Sequence, residues 1–286
     1  MYWIAETLHP EIDLGIEFKF LQLGDYFMGE GSWPCPPLYA RFMGQKNDSW
    51  AGTERYRRRV RDSLYLGLVY RNPILLTWDE QQTEDERVVL RQARELIDWS
   101  QPFQDAPVAL RVDSSNVGGG PWGAEGRLVL GRYEEFFSLL PLATRYIQRD
   151  ELSPAGVVVL DARKPYEEPV LPSALLATVP LRVSQGYRAS YLWSVDRRTL
   201  VAYVYNCTGH ERLEGRGDHS GNWHRIPSPA SLSIELRNIL EQDKMRVRLY
   251  DLDTKEFEAV AHKGDNIIIE KRKTDHDYLL VIIPGS

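Results

Sequence analysis

At about Tyr187 the chain changes character, and this constrains its fold more than any other feature. Downstream, "YRASYLWSVDRRTLVAYVYN" reads as two strands joined at a polar turn, Asp196-Arg197-Arg198. "KMRVRLYDLDTKEFEAV", "NIIIEKR" and "DYLLVIIP" continue as short β-rich runs separated by polar turns at intervals of roughly ten residues, the spacing of a sandwich. Residues 187–286 are therefore expected to form an all-β sandwich domain. With 286 residues there is room for a second core ahead of it.

Upstream, strand-like and helix-like stretches alternate. "DYFMGE" reads as a strand, and Pro34, Pro36 and Pro37 enforce an extended loop after it. Tyr56, Val60, Leu64 and Leu68 recur at helical spacing, with Arg57, Arg58, Arg59 and Arg61 on the remaining faces. The apolar run in "NPILLTWDE" suits a strand buried on both faces. Thr83 and Glu86 then form a capping box ahead of a helix with Val89, Ala93, Leu96 and Ile97 inward. "APVALRV" and "AGVVVLD" read as two further strands, with a helix near Tyr133 to Leu140 between them. The predicted fold class is α/β: barrel-like βα units over 1–104, an α/β continuation or connecting region over 105–186, and the sandwich after it.

Composition removes several function classes. A net charge of -6 gives no general pull toward nucleic acid or anionic lipid. No apolar run approaches the roughly 20 residues of a membrane helix, and the N-terminus lacks a basic start followed by an apolar signal core. Cys35 and Cys207 lie far apart without a CxxC neighbour, so neither a disulfide framework nor a metal knuckle is expected, and a cytoplasmic location is the default. The loop "VGGGPWGAEG" lacks phosphate-loop spacing, and His210, His219, His224 and His262 form no metal-binding pair. No cofactor and no metal are predicted. Sequons occur at Asn47 and Asn206, and "RGD" at Arg216–Asp218 is a common tripeptide.

The residue that stands out is Glu30. It lies between two glycines at the end of an apolar run, where a carboxylate needs water, a partner or a substrate. The bland alternative is a loop carboxylate satisfied by backbone donors or an arginine. Trp78 ends the next apolar run and serves equally as core or as a platform for a sugar. Asp79 and Glu80 follow it ahead of a helix, where negative charge favours the N-terminus.

"FMGEGSW", the helix "RYRRRVRDSLYLGL" and "PILLTWDE" together resemble the last two βα units of a clan A glycoside hydrolase barrel. "LVAYVYN", "VRLYDLDT" and "TDHDYLLVIIPG" resemble the β-sandwich often appended to such barrels. The resemblance covers roughly residues 20 to 100 and this later part. It implies Glu30 as the nucleophile of a retaining glycoside hydrolase and Trp78 stacking beneath the sugar. By residue type, Trp33 and Tyr26 are expected as further flat apolar faces and Asp79 among the polar substrate contacts. A complete barrel takes about 250 residues, and no Asn-Glu pair precedes Glu30 to supply the family's acid/base. The resemblance therefore implies the C-terminal part of such an enzyme, with a companion chain or homo-oligomer completing the barrel. The alternative is a non-catalytic carbohydrate-binding or assembly module.

Overall fold

The computed structural model describes residues 102–112, 140–142, 144–212, 223–225, 227–239, 245–260 and 267–285, with scattered positions between Arg58 and Phe137. Thirteen strands are found among them: β1 Val108–Val112, β2 Thr144–Gln148, β3 Val158–Asp161, β4 Leu181–Val183, β5 Tyr187–Trp193, β6 Leu200–Asn206, β7 His210–Arg212, β8 Trp223–Arg225, β9 Ala230–Leu236, β10 Met245–Asp251, β11 Glu256–Ala259, β12 Ile267–Thr274 and β13 Tyr278–Pro284. A short helix, α1, spans Ser173–Leu176.

A five-stranded sheet in the order β11-β10-β13-β6-β5 is antiparallel throughout, and so is a three-stranded sheet in the order β12-β9-β4. One apolar core joins the two sheets, and its membership shows the two-residue period of a strand with one face inward. From β5 it takes Tyr187, Ala189, Tyr191 and Trp193; from β6 Leu200, Ala202 and Val204; from β13 Tyr278, Leu280 and Ile282. The second sheet contributes Leu232, Ile234 and Leu236 of β9, with Ile267 and Ile269 of β12 and Leu181 of β4.

The other face of the five-stranded sheet is also covered at its centre. All seven residues of β6 are buried, including Val201, Tyr203 and Tyr205, which point away from that core. A strand buried on both faces has a third layer over it. Helical positions Arg58, Arg61 and Tyr65, spaced to share a helix face, belong to that layer. Tyr65 stacks on Tyr203 at 5.0 Å between ring centroids, and Tyr203 stacks on Tyr205 at 4.9 Å. Gln92 Nε2 donates to the Tyr250 hydroxyl at 3.3 Å from the same side.

A smaller parallel sheet, β2-β1-β3, has its own core of Val108, Leu110 and Val112 against Tyr133, Phe137, Leu142, Ala162 and Val179. The chain just before β1 runs along the edge of β5: Gln104 N–H donates to Trp193 O at 2.6 Å, and Val195 N–H to Pro102 O at 3.0 Å.

These findings correct the predicted fold class. Among the described residues antiparallel strands dominate and helix is scarce, so the fold is closer to all-β than to an α/β barrel followed by a sandwich. Parallel pairing is, among the described residues, confined to three short strands. The expectation rested on local periodicity, which reports the amphipathicity of a segment and not which strands share a sheet. No helix among the described residues is long and apolar enough to cross a membrane.

Turn chemistry sets the strand register. In the β5–β6 turn, the Ser194 hydroxyl donates to Asp196 at 2.6 Å and accepts the backbone N–H groups of Arg198 and Thr199, while Arg197 takes a left-handed φ of 57°. Before β5, Gly186 has φ +89°, and a Cβ there would lie 2.7 Å from the Thr208 methyl. Thr208 cannot readily retreat, since its hydroxyl donates to Asn206 Oδ1 at 2.7 Å and accepts from Ser228 N–H at 2.7 Å. Gly156 has φ +74° with open space around it. Gly156→Ala should cost only the left-handed strain of about 1–2 kcal/mol, and Gly186→Ala distinctly more. Urea unfolding midpoints of the two variants check this; equal losses would mean that Thr208 yields freely.

Candidate functional site

The residues singled out for chemistry in the sequence, Glu30, Trp33, Tyr26, Trp78 and Asp79, lie outside the described residues. His219 and His262 do as well, whereas His210 and His224 lie on the paired strands β7 and β8, with Glu211 opposite His224.

The densest polar cluster among the described residues is one the sequence reading did not single out. It gathers Asp251, Asp253, Asp275, His276 and Asp277 from two turns at the same end of adjacent strands, together with Arg58 and Arg61 from the helical layer. β10 and β13 pair with Asp251 opposite Tyr278, so the acidic stretches "YDLDT" and "TDHDY" meet. Both were visible as acid-rich turns. Their convergence follows only from strand pairing.

Asp251 shapes the first turn: one carboxylate oxygen accepts the backbone N–H of Asp253 and of Thr254, both at 2.9 Å, and Lys255 closes the turn with a left-handed φ of 63°. Its other oxygen lies 2.7 Å from His276 Nδ1. Asp253 Oδ2 accepts the backbone N–H of Asp277 at 2.9 Å, and Leu252 N–H donates to Asp277 O at 2.9 Å, so the two turns are stitched together. Arg61 reaches in from the helical layer and donates to Asp253 Oδ1 at 2.8 Å. Arg58 lies 3.6 Å from Asp275 Oδ2.

Arg61 is 3% exposed. Burial opposes its charge, but the charges of Asp277 and Asp253 and the Asp253 hydrogen bond outweigh that and hold the guanidinium charged. The same balance acts on His276. Burial lowers its affinity for a proton, yet the hydrogen bond to Asp251 and the charges of Asp251, Asp253 and Asp275 leave the imidazole more basic than an ordinary histidine.

Donor atoms of Asp251, Asp253 and His276 lie within 4.8 Å of one another, a spacing that by type suits a metal ion. Their existing partners give them another role. Asp253 already has the Arg61 guanidinium as counter-charge, and Asp251 has the His276 ring. The cluster is an ion-pair clasp between the helical layer and the sheet.

Beside it lies a neutral network. The Asn206 side chain donates to Ser228 O at 3.0 Å, to Thr274 O at 3.3 Å and to the Tyr187 hydroxyl at 3.3 Å, and its backbone N–H donates to Asp277 at 3.0 Å. Tyr187 donates to Thr274 O at 2.8 Å. Burial, outweighing these hydrogen bonds, pushes the Tyr187 hydroxyl up to about 12, so it remains a donor at neutral pH.

No protein-family model matches the chain, and no curated protein matches it in sequence. Among solved structures it is similar to α-L-fucosidase isoenzyme 2 from Paenibacillus thiaminolyticus, at 10% identity and a TM-score of 0.26, over 40% of this chain and 16% of that one. It is also similar to an Anoxybacillus α-amylase described as a new glycosyl hydrolase subclass, at 10% identity and a TM-score of 0.22, over 99% of this chain and 71% of that one. Both neighbours are glycoside hydrolases by name, and the chain spans only about a sixth of the length of the fucosidase.

The clasp makes a direct prediction. Arg61→Met keeps much of the side-chain volume but leaves Asp253 and Asp277 without that counter-charge, and should destabilise the protein by about 3–5 kcal/mol. Arg61→Lys should recover part of the loss, since an ammonium restores the charge without the planar fork. Urea unfolding at neutral pH measures both; a loss for Arg61→Met below about 1 kcal/mol would mean the buried pair contributes no more than an exposed one.

Proposed function

We propose that this chain is a retaining glycoside hydrolase, or the C-terminal part of one, that acts on a carbohydrate with Glu30 as its nucleophile. The observation that carries the reading is Glu30 between two glycines at the end of an apolar run, followed by a second apolar run that ends in Trp78. Glu30 attacks the anomeric carbon and the glycosidic oxygen leaves with a proton from a second carboxyl group. Water then hydrolyses the glycosyl-enzyme ester. Trp78, Trp33 and Tyr26 offer flat apolar faces to the CH side of the sugar, and Asp79 binds its hydroxyl groups. A companion chain or a second copy supplies the acid/base carboxyl group. The reading calls on no barrel.

The β-sheets take a supporting role in this reading. Arg58, Arg61 and Tyr65 lie between Glu30 and Trp78 in the chain, and the clasp and the Tyr65–Tyr203 stack fix them to the five-stranded sheet. The sheet is in this reading a rigid platform for the catalytic segment, consistent with the need to hold reacting groups to a fraction of an ångström.

Release of a chromogenic leaving group across a panel of glycosides tests the proposal, with the companion chain present where one is found. Glu30→Gln should lower kcat on the order of 10³-fold or more, as loss of a nucleophile does, while Trp78→Ala should act mainly through KM. Equal rates for wild type and Glu30→Gln would remove Glu30 from catalysis. Calorimetric binding of a polysaccharide without turnover would make the chain a non-catalytic carbohydrate-binding module instead.

A further inference from the structure

Four carboxylates, those of Asp251, Asp253, Asp275 and Asp277, meet at one end of the five-stranded sheet, and the two guanidiniums of Arg58 and Arg61 face them from the helical layer. His276 is the third basic group of this cluster and the one of a type whose ordinary pKa lies closest to neutrality. Its ring sits between the end of β10, the β10–β11 turn and its own loop, and it acts on the arginines through these groups. Nδ1 is 2.7 Å from Asp251 at the end of β10, and Nε2 is 3.8 Å from Asp275 on its own loop. Asp253 adds its charge from the β10–β11 turn, and the Tyr278 ring of β13 lies 6.5 Å away.

The loop that carries His276 also carries the groups that position both arginines. Asp275 offers Arg58 its carboxylate at 3.6 Å and its carbonyl at 3.5 Å. The Asp277 backbone N–H holds the Asp253 carboxylate on which Arg61 rests. The His276–Asp251 contact fastens this loop to the neighbouring turn, and side chains in it are a third exposed or less, where charge interactions are screened weakly.

We propose that His276 is a pH-operated clasp: protonated, it holds the loop and the turn together so that both arginines keep the helical layer on the sheet; neutral, it releases that layer while the two-sheet core stays intact. When the imidazole loses its charge, the carboxylates lose one of three cations and the contact to Asp251 becomes an ordinary hydrogen bond. The sign follows from the raised basicity of the folded state. The stabilisation is complete below the ordinary histidine pKa of about 6.5 and is lost as pH rises through the higher folded value. The two-sheet core contains none of the charged groups of the cluster, and of its members the Tyr278 ring is the one set beside His276. This device is independent of the identity of any substrate.

Amide hydrogen exchange of the full chain, corrected for intrinsic rates and read by mass spectrometry from pH 6 to 9, tests the clasp. Peptides spanning Arg58 to Tyr65 should lose protection several-fold over this range in the wild type, while peptides from β9 and β12 stay unchanged. In His276→Gln the loss should already be present at pH 6 and should not grow. Equal pH dependence in wild type and variant, or equal loss in β9 and β12, would overturn the proposal. A second readout needs only the wild type: the His276 ring titration followed by proton NMR must fall above about 6.5, and a midpoint at or below that value overturns the proposal regardless of how the variant folds.

Discussion

The structure depends on a charge that has been taken out of water. Arg61 is almost fully enclosed, and a guanidinium in that position is tolerable only because Asp253 and Asp277 come to meet it. Those carboxylates are placed by two turns whose geometry is set by their own aspartates. The pairing of β10 with β13 brings the turns together. Sheet register, turn chemistry and the seat of the helical layer are therefore one problem with one solution, which accounts for β6 being buried on both faces.

Some of this was legible in the sequence. The strands β5 and β6 and the turn at Asp196–Arg198 could be read because alternation and turn residues are local signals. The apolar runs that became β1 and β3 were equally plain, and these two strands pair in parallel. β2, "TRYIQ", was not seen, because a short strand of mixed polarity has no periodic signature of its own. The α/β reading failed for a related reason: helical spacing in a segment does not reveal how much of the whole is helix. Glu30 and Trp78, where sequence reasoning was most specific, lie outside the described residues.

The clasp illustrates what a single sequence withholds. Arg61 and Asp253 are 192 positions apart, and each looks alone like an unremarkable surface charge. The clue that could have drawn attention is a pair of acid-rich turns, "YDLDT" and "TDHDY", in a region otherwise made of apolar strands. A concentration of like charge at strand ends needs a cation from somewhere. Here it comes from a segment that precedes the sheets in the chain. The basic histidine follows from the same meeting of turns, which sets His276 against Asp251, Asp253 and Asp275, while the stacked tyrosines fill the space between helix and sheet.

The sequon at Asn206 carries a practical corollary. Its side-chain nitrogen lies inside the protein, and its hydrogens are committed to Ser228, Thr274 and Tyr187. An oligosaccharide on that nitrogen could be attached only before folding, and the modified chain could not then close around it. A eukaryotic secretory host that glycosylates nascent chains would thus yield a mixture of native and trapped material, whereas a bacterial cytoplasm, which lacks the transferase, leaves the amide unmodified.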